Sequence, residues 1–246
     1  MPPLLYLSLL LIPSFQIDQS KTIIIFFSRA GENYNVGNVE IGNTEMIVNY
    51  LKEVTNITSY KIIPVTAYPT NYQETVTIAQ NEKNTNARPA IQNPLTDISK
   101  YDNILLGYPI WHGNIPNIVM TLLESLNFEG KTIYPFNTHG GSGLGNSIND
   151  IKNLAPKANV KDGFPLSGTY ARTTEAHEDI NDWLKDKLEI DNTPIESTTI
   201  GNTKIDSTAI DSDNDDDDDD NIPTVRARGK FLKITFLLVV SVLQFI

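Results

Sequence analysis

The sequence predicts an α/β protein, a doubly wound parallel sheet with helices packed on both faces. Apolar runs of strand length alternate with stretches of helical periodicity from residue 21 to residue 190, the rhythm of a parallel sheet. The first run, Thr22 to Phe27, is unbroken β-branched and aromatic sequence, as a strand buried on both faces requires. Three unusual loops each follow a strand. Ligands of such sheets bind beyond the carboxyl ends of the strands, where strand order reverses.

Each element has its own warrant. After the first strand and a long polar loop, residues 43–54 place Met46, Ile47, Tyr50, Leu51 and Val54 on one helical face. Residues 59–63 (SYKII) read as a second strand and 102–108 (DNILLGY) as a third. Pro116 then falls in the first turn of a helix, where its missing N–H costs nothing, ahead of Ile118, Val119, Leu122, Leu123 and Leu126. Residues 131–137 (KTIYPFN) make a fourth strand, which Pro135 is expected to weaken or end. A glycine-rich turn leads into a helix at 144–154, and a short strand lies near 160–167. The last helix, over 173–189, turns Ile180, Trp183, Leu184 and Leu188 inward.

Composition narrows the chemistry. With 40% hydrophobic residues in 246, the chain can build a full core. The absence of cysteine excludes disulfides, Cys-ligated zinc, iron–sulfur clusters and thiol nucleophiles together. Three separated histidines, His112, His139 and His177, leave little for a His-rich metal site. A net charge of −11 opposes general nucleic-acid binding, which needs basic clusters to displace counterions.

That charge is unevenly spread, and the ends differ from the body. Residues 1–200 carry 21 acids and 14 bases, whereas 201–246 carry 9 and 5, with eight Asp in 211–220. The expected organisation is an apolar leader at 1–20, one domain at 21–190, an acidic disordered linker at 191–230 and a hydrophobic anchor at 231–246. The run at 4–15 (LLYLSLLLIPSF) is too short to span a bilayer and fits the core of a secretory signal. The tail at 231–246 (FLKITFLLVVSVLQFI) admits three readings: a short transmembrane anchor, a tail removed on GPI attachment, or a peripheral hydrophobic segment. With the lone sequon Asn56-Ile57-Thr58, these ends predict a membrane-attached protein that has passed through the secretory pathway.

Chemistry concentrates in the three loops. The first runs Ser28-Arg29-Ala30-Gly31, then an insertion over 32–41, then Gly42-Asn43-Thr44-Glu45 opening a helix. Hydroxyls, a short amide and free N–H groups at a helix N-terminus suit a phosphate; an ordinary N-cap beside a turn glycine is the plainer alternative. The first loop has no Gly-Lys-Ser/Thr ending, so it is not a nucleotide-triphosphate loop. The second loop is Tyr108-Pro109-Ile110-Trp111-His112-Gly113-Asn114, where an aromatic just past a strand end can stack on a flat ring or simply cover the sheet edge. The third is Asn137-Thr138-His139-Gly140-Gly141-Ser142-Gly143-Leu144-Gly145, whose glycines let backbone amides approach a ligand closely, or else form a flexible surface turn.

The set FFSRAG…GNTE, GYPIWHGNIP and FNTHGGSGLG, in that order, resembles the flavodoxin-like family. It looks most like the branch whose phosphate loop is interrupted by an insertion. The similarity covers 21–190 and implies a five-stranded sheet in order 2-1-3-4-5 holding FMN at the switch point. By position, the resemblance assigns Ser28, Asn43 and Thr44 to the FMN phosphate, with Arg29 assisting. It places Pro109, Ile110, Trp111 and His112 on one side of the isoalloxazine, and Thr138 with Gly140, Gly141, Ser142 and Gly143 on the other.

What the resemblance implies is an FMN-dependent redox protein. It would serve a redox partner protein, or pass hydride from NAD(P)H to a quinone-like acceptor, with the flavin supplying the redox chemistry. His112 is a candidate proton donor near the ring. The alternative is a membrane-anchored binding module that has kept the fold and lost the flavin. A hydrolase using Ser28 or Ser142 has little support, since neither sits in a Gly-x-Ser-x-Gly elbow.

Overall fold

The computed structural model describes residues 18–187. Almost all of the proposed leader, the linker and the anchor therefore lie outside the described residues, as does Leu188. No helix among the described residues is long and apolar enough to cross a membrane.

Strand β1 (Thr22–Phe26) is buried along its whole length, because it is central to the sheet and covered on both faces. It pairs in parallel with β4 (Thr58–Lys61) on one side and β5 (Asn103–Pro109) on the other. Beyond β5 lies β6 (Thr132–His139), which pairs in parallel with β7 (Asn159–Val160) and then with β8 (Phe164–Ser167). The resulting order, β4-β1-β5-β6-β7, is the expected 2-1-3-4-5 with its final strand in two pieces. The single strand expected near 160–167 is interrupted at residues 161–163.

Alternation along β1 divides the core between the two faces. Ile23, Ile25 and Phe27 meet α3 (Asn117–Ser125) and α4 (Ser147–Leu154) through Ile118, Val119, Leu122 and Ile151. Ile24 and Phe26 meet α1 (Asn43–Thr55) and α5 (Ala176–Lys187) through Ile47, Leu51, Ile180 and Trp183. Each fully buried Ile or Leu contributes about 1.5–3 kcal/mol, so the two faces account for most of the fold's driving force. On the α1/α5 face the Tyr50 ring also stacks on His177, with centroids 3.7 Å apart.

Pro135 neither ends nor weakens β6, which runs on through His139. In a parallel strand, alternate residues direct both backbone groups to one neighbour. The Ile133 carbonyl accepts from Lys161 on the outer side and that of Thr138 from Ile110 on the inner side. The place of the missing Pro135 N–H is therefore the outer side, opposite the gap between β7 and β8. No ladder bond is lost.

A helix not expected from the sequence, α2 (Tyr72–Thr85), crosses between β4 and β5. Its warrant lies at its ends. Asn71 caps it, Oδ1 accepting from the Glu74 N–H at 2.9 Å, and Asn86 closes it in the left-handed conformation. Its periodicity is faint because it buries only Thr75 and Ala79. The insertion after β1 forms a short antiparallel hairpin, β2 (Gly31–Asn33) with β3 (Gly37–Val39), separate from the main sheet.

Candidate functional site

The loops after β1, β5 and β6 meet at the carboxyl edge of the sheet and wall a cavity of about 220 Å³. The floor is hydroxyl-rich. The Ser28 Oγ accepts from the Glu45 N–H at 3.1 Å, supplying the cap that Gly42, the N-cap residue of α1, cannot. Thr44 and Thr138 share a hydrogen bond of 2.8 Å between their Oγ1 atoms, both side chains being buried, and this locks the first loop to the third. Gly42 is required there: a Cβ would stand 2.3 Å from Ser28 Oγ and 2.4 Å from the Arg29 carbonyl oxygen.

Asn43 also lines the cavity, its Oδ1 accepting from Arg172 Nη1 at 3.2 Å; the same nitrogen holds the Ile41 carbonyl at 2.9 Å. Arg172 thus fixes the junction of hairpin and helix, a positioning role with no local sequence signal because its partners lie about 130 residues away. Arg29 lines the cavity too, but its guanidinium is committed to carbonyls. Nη1 donates to Pro69 at 2.8 Å and to Thr70 at 3.2 Å, while Nη2 donates to Glu32. Burial also lowers its pKa from the usual value.

The second loop brings Pro109, Ile110, Trp111 and His112 to the wall. Trp111 is held edge-on between Phe27 and Tyr68, with centroid separations of 5.4 Å and 4.9 Å. Its N–H and carbonyl pair reciprocally with those of Asn114 across a tight turn. His112 and Gly113 occupy the turn's centre with φ of 48° and 79°, the geometry of a type I′ turn. Asp150 buttresses the turn from α4, accepting from Asn114 Nδ2 at 3.0 Å and the Ile115 N–H at 3.2 Å. His112 is not free as a proton donor: its Nε2 lies 3.0 Å from the Val76 carbonyl, which can only accept, so that nitrogen carries its proton to α2.

The third loop contributes Thr138 and Gly140 to the wall; Gly141, Ser142 and Gly143 fall outside it. His139, between two expected residues, does line the cavity. Its Nδ1 accepts from the Gly141 N–H at 3.0 Å, so the neutral ring carries its proton on Nε2, and burial lowers its pKa. The remaining wall consists of residues that the sequence reading missed: Asn33 and Tyr34 from the hairpin, and Tyr72, Thr75, Val76 and Ala79 from α2. The signals were present, in an aromatic within the insertion and in the Asn71/Glu74 helix start. Only the fold puts them at this cleft.

Among the described residues no cluster of His, Asp and Glu could hold a metal ion. The wall instead combines neutral donors at a helix N-terminus with aromatic and apolar surface.

The comparisons with known proteins agree with this architecture. A family model described as Flavodoxin matches residues 36–187, more than half of the chain. Among solved structures, a provisionally named flavoprotein from Bacteroides eggerthii DSM 20697 is 29% identical with a TM-score of 0.54, the match covering 70% of this chain and 99% of that one. A second, from Bacteroides uniformis ATCC 8492, is 27% identical with a TM-score of 0.55, covering 68% and 98%. No curated protein matches the sequence. With three strand-end loops in the expected order and a family model over most of the folded body, the chain belongs to the flavodoxin family.

Proposed function

We propose that the chain binds FMN in this cleft and works as a redox protein. The observation that carries the reading is the convergence of the three loops on one cavity, with hydroxyls and the α1 N-terminus at its floor and Trp111 on its wall. The donor set suits the group. Ser28, Asn43 and Thr44 would hold the phosphate by neutral donors and the helix macrodipole, since Arg29 is committed elsewhere. Pro109, Ile110 and Trp111 would cover the ring, which supplies the redox chemistry when bound. Gly140 and Thr138 would approach it from the third loop.

The reaction we favour passes hydride from NAD(P)H, with one proton from solvent, to a small quinone-like acceptor that leaves as the hydroquinone. A redox partner protein in place of the small acceptor is the related reading. Purified chain mixed with FMN tests the reading directly. The visible bands of oxidised flavin should co-migrate with the protein, and flavin fluorescence should be quenched. Protein that stays colourless and leaves FMN fluorescence unchanged would overturn it, and a flavin-free binding module on the same fold would take its place.

A further inference from the structure

The hairpin inserted after β1 has no part in the main sheet, yet it is held firmly. The Glu32 N–H donates to the Thr70 carbonyl at 2.8 Å, and the Glu32 carboxylate accepts from the Tyr72 N–H at 3.0 Å and from Asn71 Nδ2 at 3.2 Å. That places a negative charge on the N-terminus of α2, where the macrodipole favours it. Arg29 adds its bonds to Pro69, Thr70 and Glu32. Hairpin and helix are thereby one wall.

What this wall presents is Tyr34. It lines the cavity while remaining 54% exposed, so its place is not explained by burial in the fold. Its ring lies directly on the third loop, since a Cβ on Gly140 would come within 2.6 Å of Tyr34 Cδ1. Tyr72 stands beside it, with ring centroids 6.1 Å apart. Two phenol rings at a cleft mouth offer flat apolar surface with hydroxyl edges. Among the described residues Arg29 is the one Arg, Lys, Asp or Glu side chain in the lining, and its guanidinium is occupied by carbonyls, so they offer no free cation there for a charged headgroup.

We propose that the inserted hairpin selects the acceptor: Tyr34, seated on Gly140 beside Tyr72, is the shelf on which a neutral, flat aromatic ring of the quinone class binds. The proposal rests on the flavin reading above and names the residues that would hold its acceptor. Because the shelf belongs to the insertion and α2, it is separable from the hydroxyl floor assigned to the phosphate.

The test compares Tyr34→Ala and Tyr34→Phe with the unaltered chain. FMN binding is followed by flavin fluorescence, and 1,4-naphthoquinone binding to the flavin-loaded chain by calorimetry. Tyr34→Ala should weaken naphthoquinone binding about five- to tenfold, the loss of one stacked ring. FMN binding, followed on the same variants, should fall by less than naphthoquinone binding does, because the phosphate donors assigned above, Ser28, Asn43 and Thr44, lie on the floor and Tyr34 on the wall. Tyr34→Phe should bind both ligands as the unaltered chain does. In turnover, the alanine variant should raise the naphthoquinone KM and leave kcat unchanged. Naphthoquinone that fails to bind the unaltered chain, or binds Tyr34→Ala equally well, overturns the proposal. So does a parallel loss of FMN affinity, which would give the ring to the flavin. An unaltered chain that binds no FMN defeats the flavin reading instead, and the same calorimetric comparison on flavin-free protein still decides the shelf.

Discussion

The two walls of the cleft are built on different physical principles. The floor, made by Ser28, Gly42, Thr44 and Thr138, is buried, uncharged and interlocked by hydroxyl hydrogen bonds. The outer wall, made by the hairpin and α2, is half exposed and tied by charged side chains, Arg29 and Glu32. Buried neutral contacts in close packing leave no slack, whereas exposed charged ties are individually weak and tolerate change. The first wall can hold one ligand in one pose. The second can vary in sequence at little cost to the fold, as the acceptor shelf proposed above requires.

The sharpest way to break that contrast is Gly42→Ala. Its Cβ would meet Ser28 Oγ and the Arg29 backbone well inside contact distance, and backbone cannot give as a flexible side chain can. We expect a loss near about 3 kcal/mol, the upper end for overpacking, with FMN affinity falling alongside it. Urea unfolding with an unchanged m-value would register the first effect. Thr44→Val is the isosteric version: it leaves Thr138 Oγ1 without its buried partner and should cost about 1–2 kcal/mol. If either variant were as stable as the parent, the floor would not be the rigid wall described.

Smaller effects are expected on the other side. Burial raises the pKa of Glu82 in α2 from its ordinary value of 4.5, against the opposing pull of the Tyr68 hydroxyl that donates to it. A carboxyl that binds its proton more tightly when folded adds stability that is lost as pH rises from the ordinary value through the raised one. Glu82→Gln removes that group and keeps an acceptor for Tyr68, so the melting temperature of the variant minus that of the parent should grow more positive from acid to neutral pH. A flat difference would mean that Glu82 is not perturbed. Glu32→Gln is the mildest change. It removes a charge at the α2 N-terminus and should cost less than about 1 kcal/mol, with the difference shrinking further in high salt. FMN affinity should not move, which distinguishes it from both floor variants.

Much of this architecture is legible in the sequence. The central strands appear in sequence because burial on both sheet faces leaves continuous apolar runs, the helix carrying Ile47 and Leu51 by its apolar stripe, and the three loops by their glycines and polar side chains. Helix α2 was not legible by periodicity, since a helix that buries only Thr75 and Ala79 has almost no apolar stripe; its Asn71 cap was the available sign. Pro135 misled because a proline's cost in a sheet depends on which neighbour its missing N–H faces, and that is a property of strand order. Gly141, Ser142 and Gly143 stood out by composition, yet the turn carries them outside the cavity wall while His139 lines it.

By itself, the sequence determined the fold family and the residue types of the three loops, because both depend on pattern along short contiguous segments. Tertiary structure alone decided the rest: that Arg29 binds carbonyls, that His112 is committed to Val76, and that Tyr34 lies on Gly140. The Arg29 bonds to Pro69 and Thr70, the His112 bond to Val76 and the Tyr34 contact with Gly140 each join residues more than thirty positions apart, where local pattern carries no information and only chain packing brings the partners together.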